Sequence, residues 1–367
     1  MGPQHHCQTA ETPVFYPKKV SAQYRRGVQY HPTAALQVIE GLMHLHIKAK
    51  MQSTLFKMLL LSLLVFIAAL LQASSASPVP ASKKPRPVNL SYSCMRVTGK
   101  GDKRDDVPVI LLHGLGLSKE SWMGVYQLLA LKTKKRVCIV DLRNHGDSPW
   151  SDQSDIASMA EDIKQLMGRL KAEKAIVLGH SMGGKAAVHF TLTYPDNVEK
   201  LIVEDMRPNG LTPRALEEVQ VFLALLQKTS EIMPQGVSEK EAKRTIFKFL
   251  NEQLEKLNDT SALLNPKVVD FLPIRCRNGK CAWKTNTQLV KYILKDFATL
   301  LNESSGRYDG PTLFVYGTAS PFKVNEDESN IKKLFPNAKL VGIEGASHVV
   351  HEREEFVDTV IRFINGK

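Results

Sequence analysis

The sequence predicts an α/β protein: a mostly parallel, twisted sheet with helices on both faces and a largely helical insertion. Three observations predict it. From residue 88 onward, apolar runs of strand length alternate with segments of helical spacing, the pattern of parallel strands joined by helical crossovers. Several strand runs are apolar almost throughout, as in Val107-Pro-Val-Ile-Leu-Leu112 and Ala175-Ile-Val-Leu178, so both of their faces are covered. The alternation stops between about Pro208 and Arg307, where the amphipathic segments Arg214–Leu226 and Glu239–Leu250 take over.

The chain begins with a segment of a different kind. Residues 1–50 carry histidines, prolines and scattered lysines without strong periodicity, and read as an N-terminal extension. Met58–Leu71 is a mostly apolar run, preceded by Lys57 and followed by Ala73-Ser-Ser-Ala76. With translation starting at Met51, residues 51–76 have the layout of a secretory signal peptide, because the run is short for a membrane span. With residues 1–50 retained, the run becomes an internal anchor or part of an organellar presequence. Residues 77–87, rich in proline and lysine, read as a linker, and residues 88–367 as one large domain with an insertion over about 208–307.

The most specific feature is Gly179-His180-Ser181-Met182-Gly183-Gly184. It follows the apolar strand and precedes Lys185–Tyr194, which has helical spacing. G-x-S-x-G at such a joint is a nucleophile elbow: the glycines permit a turn too tight for a Cβ, and the serine hydroxyl is lifted above the sheet. The backbone N–H of Met182, at the start of a helix, then faces a developing oxyanion. In this architecture an acid and then a histidine follow the nucleophile along the chain.

His348 fits the base. It sits in the loop Glu344-Gly-Ala-Ser-His348, between a short strand at Lys339–Ile343 and a helix from about Glu352 to Ile364. His351 starts that helix and reads as a surface or capping residue. The acid is expected after Pro311–Gly317, but Thr318-Ala-Ser-Pro-Phe-Lys-Val324 contains no carboxylate. Glu326 and Asp327 come later and read as N-terminal helix acids. The strand Val198–Val203 ends instead in Glu204-Asp205, and Asp205 is assigned as the acid, with Glu204 pointing the other way by strand alternation. A strand-end turn residue is the competing reading of Asp205. The second oxyanion donor is the backbone N–H of Leu115, between the glycines of His113-Gly114-Leu115-Gly116.

Taken together, Leu112-His-Gly-Leu115, Asp141-Leu-Arg-Asn-His-Gly-Asp-Ser-Pro149, Gly179-His-Ser-Met-Gly-Gly-Lys185 and Gly345-Ala-Ser-His348 resemble the α/β-hydrolase superfamily. Within it the resemblance is greatest to the abhydrolase domain-containing 11 group and its bacterial esterase relatives, over roughly residues 88–366. Those relatives carry an Asp-Ile-Ser-Pro-like run that supports Asp205, although Met206-Arg207 replaces its middle. The resemblance implies a serine hydrolase acting on carboxylic esters, with lipid or acylglycerol substrates and no metal or organic cofactor. Thioester hydrolysis or acyl transfer by the same residues stays open, as does a non-catalytic binding protein on this scaffold. The resemblance also suggests a mitochondrial address, against which the N-terminal segment is not arginine-rich.

Arg143, His145 and Asp147 read as structural residues that fix a rim loop around a Gly146 turn. Arg275-Cys276-Arg277-Asn278-Gly279-Lys280-Cys281 is a hairpin signal with Asn-Gly at its turn. Cys276 and Cys281 would be a non-hydrogen-bonded pair, whose separation suits a disulfide in an oxidising compartment but not in a reducing one. Cys94 and Cys138 read as small buried apolar residues, and Cys7 lies in the N-terminal extension. Asn89, Asn258 and Asn302 stand in glycosylation sequons. The net charge is +12, to which residues 1–76 contribute seven Lys/Arg against two Asp/Glu. The excess is expected to be spread through the helices, without a nucleic-acid motif, and is assigned to solubility, with weak attraction to anionic membrane surfaces as a further option. No oligomeric state is predicted.

Overall fold

The computed structural model describes residues 85–97, 107–256, 266–288 and 304–366. The expectations for residues 1–84, Asn258 and Asn302 fall outside these. The strands in chain order are β1 (Tyr92–Met95), β2 (Val109–Leu112), β3 (Val137–Val140), β4 (Ala175–His180), β5 (Val198–Glu204), β6 (Ile274–Arg277), β7 (Lys280–Trp283), β8 (Thr312–Gly317) and β9 (Ala338–Ile343). Seven of them form one sheet in the order β1-β3-β2-β4-β5-β8-β9, and β6 and β7 form a separate antiparallel hairpin. Within the large sheet only β1 runs antiparallel. The principal helices are α1 (Met123–Thr133), α2 (Ile156–Leu170), α3 (Met182–Thr193), α4 (Pro213–Glu231), α5 (Glu239–Lys256), α6 (Glu328–Leu334) and α7 (Glu354–Ile364).

Strand alternation splits the core into two layers. Ile110, Leu112, Val177, Leu201, Val203 and Phe314 pack toward α2 and α3, against Ile163, Leu166, Ala187 and Phe190. Val109, Leu111, Ile139, Ile176, Leu178 and Val315 pack on the other face, against Leu129 of α1 and Phe356 and Val360 of α7. Each fully buried side chain of this kind contributes about 1.5–3 kcal/mol. A third, smaller core belongs to the insertion, where Leu223, Leu226, Ile246, Ile274 and Trp283 pack together. Thr212 starts α4 by accepting the Ala215 amide at 3.0 Å, with Pro213 in the first turn, an arrangement that the sequence Leu-Thr-Pro encodes directly.

The strand order fixes where chemistry can occur. The chain builds β2 and then β3 on one side before crossing to β4 on the other, so the order reverses between β2 and β4. The crevice beyond the carboxyl ends of these two strands is the switch point at which open α/β sheets bind ligands. His113–Gly116 leaves β2 there, and Ser181 leaves β4.

Two cysteine pairs are bonded, and one of them corrects an expectation. Cys276 and Cys281 face each other across the hairpin and are disulfide-bonded. Cys94 and Cys138, expected as unpaired apolar residues, are also disulfide-bonded, directly opposite each other on β1 and β3 with Cα atoms 4.1 Å apart. Cys94 lies on an exposed edge strand and Cys138 is buried. The antiparallel return of β1 onto β3, which skips β2, creates that pairing. Among the described residues, no helix is long and apolar enough to cross a membrane.

At the β4–α3 joint only Ser181 separates the end of the strand from the start of the helix. A Cβ on Gly179 would fall 2.2 Å from the Gly183 carbonyl oxygen, and one on Gly183 would fall 2.5 Å from that of Leu112. Backbone atoms of a central strand cannot give way. Gly183→Ala is therefore expected to destabilise the protein by about 3 kcal/mol or more, read as a lower denaturation midpoint with unchanged m-value. A midpoint equal to that of the wild type would show that the joint tolerates a side chain.

Candidate active site

Ser181 occupies the joint with φ 53° and ψ −118°, a conformation that costs a non-glycine residue about 1–3 kcal/mol. The surrounding backbone holds it: its amide donates to the Glu204 carbonyl at 3.1 Å, and its carbonyl accepts from the Lys185 amide at 3.0 Å. Its Oγ lies 2.9 Å from Nε2 of His348, whose Nδ1 lies 2.7 Å from Oδ2 of Asp205. The three predicted side chains, up to 167 positions apart in sequence, thus form one hydrogen-bonded row. Nδ1 must donate to the carboxylate, which leaves Nε2 free to accept the serine proton.

Asp205 is buried and has φ 47°. Its Oδ1 accepts the Gly317 amide at 3.0 Å, and its Oδ2 also accepts the Ser320 hydroxyl at 2.5 Å. The loop after β8, which lacks an acid, therefore supplies donors to an acid brought from β5. Phe322 from the same loop stacks on the His348 ring, with centroids 3.9 Å apart and planes within 6°. Arg207 fixes that loop by donating to the Phe322 carbonyl at 2.8 Å and the Lys323 carbonyl at 2.7 Å. The sequence reading missed Ser320 and Phe322. The absence of a carboxylate between 318 and 324 was the available signal that something else occupied that place.

The neighbouring carboxylate holds the other side of the same loop. Glu204, buried and directed away from Asp205, accepts the amides of Val350 and His351, each at 2.8 Å, and bonds Nδ1 of His351 at 2.9 Å. This corrects the expectation for His351: it is a buried partner of Glu204, packed 4.4 Å from Trp122, and not a surface cap. Burial by itself raises the Glu204 carboxyl, but His351 and His180 outweigh it and hold the group below its usual range. His180 is buried with its Nε2 3.1 Å from the His348 carbonyl, and burial pushes its pKa down to about 3.

Two further neutral histidines shape the loops after β2 and β3. His113 accepts the Leu142 amide at Nε2 (3.1 Å) and donates from Nδ1 to Gly114 (2.8 Å). His145 accepts the Gly116 amide at Nε2 (3.1 Å) and donates from Nδ1 to Arg143 (2.9 Å). Removal from water lowers their pKa values to about 4 and about 3. Arg143 forms a fully buried pair with Asp162, with bonds of 2.6 and 2.7 Å. Leu115 is thus carried on a loop pinned at both ends, half-buried above the elbow, and Met182 is buried at the first position of α3.

The insertion is joined to this rim by charge. Lys119 reaches Asp141 at 2.5 Å and Asp147 at 2.7 Å. Asp147 also bonds Arg275 of β6 and lies 3.4 Å from Lys284, just after β7. Phe222 of α4 packs on Gly116, where a Cβ would fall 2.4 Å from its ring. Thr285 and Asn286 bond the backbones of Gly116 and Asn144. Lys185, lowered to about 8 by burial, donates to the Pro208 carbonyl at 3.1 Å and so ties α3 to the start of the insertion. Among the described residues, no group of three or more His, Cys, Asp or Glu side chains is placed to hold a metal ion.

The sheet, the elbow and the buried row define a class, and the comparisons agree with it. The chain belongs to the alpha/beta hydrolase fold family, whose model matches residues 107–355. It is similar to the sn-1-specific diacylglycerol lipase ABHD11 of Danio rerio, at 33% identity over 76% of this chain and 83% of the relative. The protein of the same name from Mus musculus is 32% identical, covering 76% and 86%. Among solved structures, a marine microorganism esterase superposes with a TM-score of 0.60 at 29% identity, covering 75% of this chain and 99% of the esterase.

Acid stability follows from the three buried imidazoles. His113, His145 and His180 have native pKa values of about 4, 3 and 3, below the ordinary 6.5. Below pH 6.5 the unfolded chain binds protons that the native state refuses. Their stabilisation is therefore complete above pH 6.5 and is lost as pH falls from there through about 4 for His113 and about 3 for His145 and His180. The slope approaches roughly 1.4 kcal/mol per pH unit for each histidine. Denaturant midpoints should be flat between about pH 7 and 8 and fall steeply from 6.5 through 4 towards 3; a flat profile across that acid window would contradict the assigned protonation states.

Proposed function

We propose that this chain, a carboxylic ester hydrolase of the alpha/beta hydrolase fold, cleaves lipid or acylglycerol-type esters through an acyl-enzyme on Ser181. The single observation that carries the proposal is the row from Ser181 Oγ through His348 to Asp205, at 2.9 and 2.7 Å. The lipase and esterase relatives support the substrate class, as do the apolar Leu115, Val219 and Phe222 where the insertion meets the rim.

In the first half-reaction Ser181 Oγ attacks the ester carbonyl carbon while its proton passes to Nε2 of His348. Asp205 holds the tautomer and stabilises the imidazolium that forms. The negative charge moves to the carbonyl oxygen, which accepts from the backbone N–H groups of Leu115 and Met182. Collapse breaks the bond to the leaving oxygen, which takes the proton from Nε2 and departs as an alcohol. Water then attacks the acyl group, gives its proton to Nε2, and the acid leaves as Ser181 recovers its hydrogen. Phe322 restricts the imidazole to one plane throughout, and Glu204 anchors the backbone behind it.

The insertion acts as a cap in this reading, with Phe222 and Val219 forming the acyl-facing wall. In this reading the apolar run within residues 51–76 acts as a signal peptide or anchor for the secretory pathway, with a mitochondrial address, compatible with the ABHD11 relatives, as the alternative. The two disulfides favour the secretory pathway, because such bonds persist where the environment is oxidising.

Two measurements test the mechanism. Ser181→Ala should lose at least about 10⁴-fold in kcat on a chromogenic ester and all labelling by a fluorophosphonate, with thermal stability retained. Retained ester turnover in that variant would refute the acyl-enzyme. Asp205→Asn should lower kcat by roughly 10³–10⁴-fold, and full activity would move the acid role to another residue.

A further inference from the structure

The positive charge, expected to be spread through the helices, is in part gathered on the insertion. The hairpin β6–β7 sorts its side chains by strand alternation. Ile274, Cys281 and Trp283 are buried in the insertion's core, while Arg275, Arg277 and Lys280 stand on the opposite face. Arg275 is neutralised by Asp147. Arg277 and Lys280 are exposed and face each other directly across the Asn278-Gly279 turn. Like charges directly opposite destabilise a strand pair, and among the described residues neither cation is paired with a carboxylate.

The structure nonetheless holds this tip rigidly. The Cys276–Cys281 bond closes the next pair. Gln235 accepts from the Cys281 amide and donates to its carbonyl, both at 3.0 Å, and the Gly236 amide donates to Gly279 at 2.7 Å. The Cys276 amide donates to Glu239 at 3.3 Å and so joins β6 to the first turn of α5. From that turn Lys240 and Arg244, one helical turn apart, are exposed and likewise lack a carboxylate partner among the described residues.

We propose that Arg277 and Lys280, the opposed exposed cations at the tip of the β6–β7 hairpin, form a docking surface for an anionic lipid bilayer. This deepens the lipid-ester reading above and rests on it: a membrane-resident ester is reached from the bilayer surface, and the uncompensated cations complement the phosphates of an anionic leaflet. Exposed Ile232, which ends α4 and leads into the Gly236 segment at the tip, adds an apolar group to the same part of the insertion. Each Lys or Arg near such a leaflet strengthens adhesion by roughly fivefold. Screening confines the effect to within about 10 Å of the surface at ordinary ionic strength.

The test compares the full chain with Arg277→Glu/Lys280→Glu and Arg277→Gln/Lys280→Gln variants. Co-sedimentation is measured with phosphatidylglycerol–phosphatidylcholine vesicles and with phosphatidylcholine vesicles, at low and high salt. The wild type should prefer the anionic vesicles, and salt should abolish that preference. The glutamine variant should lose at least roughly 25-fold of it and the glutamate variant all of it. Turnover of a soluble short-chain ester should remain at the wild-type level in both variants, which establishes that they are folded. An anionic preference that survives in the folded variants, or is absent from the wild type, overturns the proposal; retention of binding only to an acidic protein partner does the same. Loss of soluble-ester turnover in the wild type itself would instead strike the catalytic reading, so the two failures are distinguishable.

Discussion

The organisation of the site depends on one constraint: a loop near the end of the chain must hold an imidazole over the ends of β4 and β5. Two adjacent residues satisfy it from opposite sides of a strand end. Asp205 takes the His348 ring at 2.7 Å, and Glu204 takes the amides two and three positions further on, each at 2.8 Å. Strand alternation sends neighbouring side chains apart, so the Glu-Asp pair can grasp one loop at two places. Both carboxylates are buried and their bonds are made to donors on that loop or beside it, which is the condition under which buried charge is tolerated.

The same economy of position extends through the rim. A carboxylate from the neighbouring strand end frees the loop after β8 to supply Ser320, Gly317 and Phe322, which support Asp205 and the imidazole. Arg207, two residues after Asp205, binds the backbone that carries Phe322. The loops after β2 and β3 are held by neutral histidines, each accepting one amide and donating one proton. Buried imidazole suits this work because its two nitrogens satisfy two backbone groups without a net charge. Asp147 then extends the rim into the insertion by gathering Lys119, Arg275 and Lys284.

Much of the fold was legible in the sequence because its signals are local. Apolar runs gave the strands to within about two residues, Asn-Gly gave the hairpin and its register, and G-x-S-x-G gave the elbow. Ser181 and His348 followed from chain order, and Asp205 from the absence of an acid after β8 together with strand alternation. His351 was misread because its position at the start of a helix is local, whereas its partner Glu204 lies 147 residues away. Cys94 and Cys138 were misread for the same reason: their contact requires β3 to lie between β1 and β2 and pair antiparallel with β1.

By itself the sequence determined what each short segment is able to be. Period, turn residues and glycine placement act over a few bonds, and so they specify strand, helix, hairpin and elbow before any long-range contact forms. Only the tertiary structure decided which distant segments meet: Glu204 with His351, Cys94 with Cys138, Phe322 with His348, and two like cations at the tip of the insertion. Those pairings depend on strand order and register, which are set by the packing of the whole sheet and leave no periodic mark in the chain.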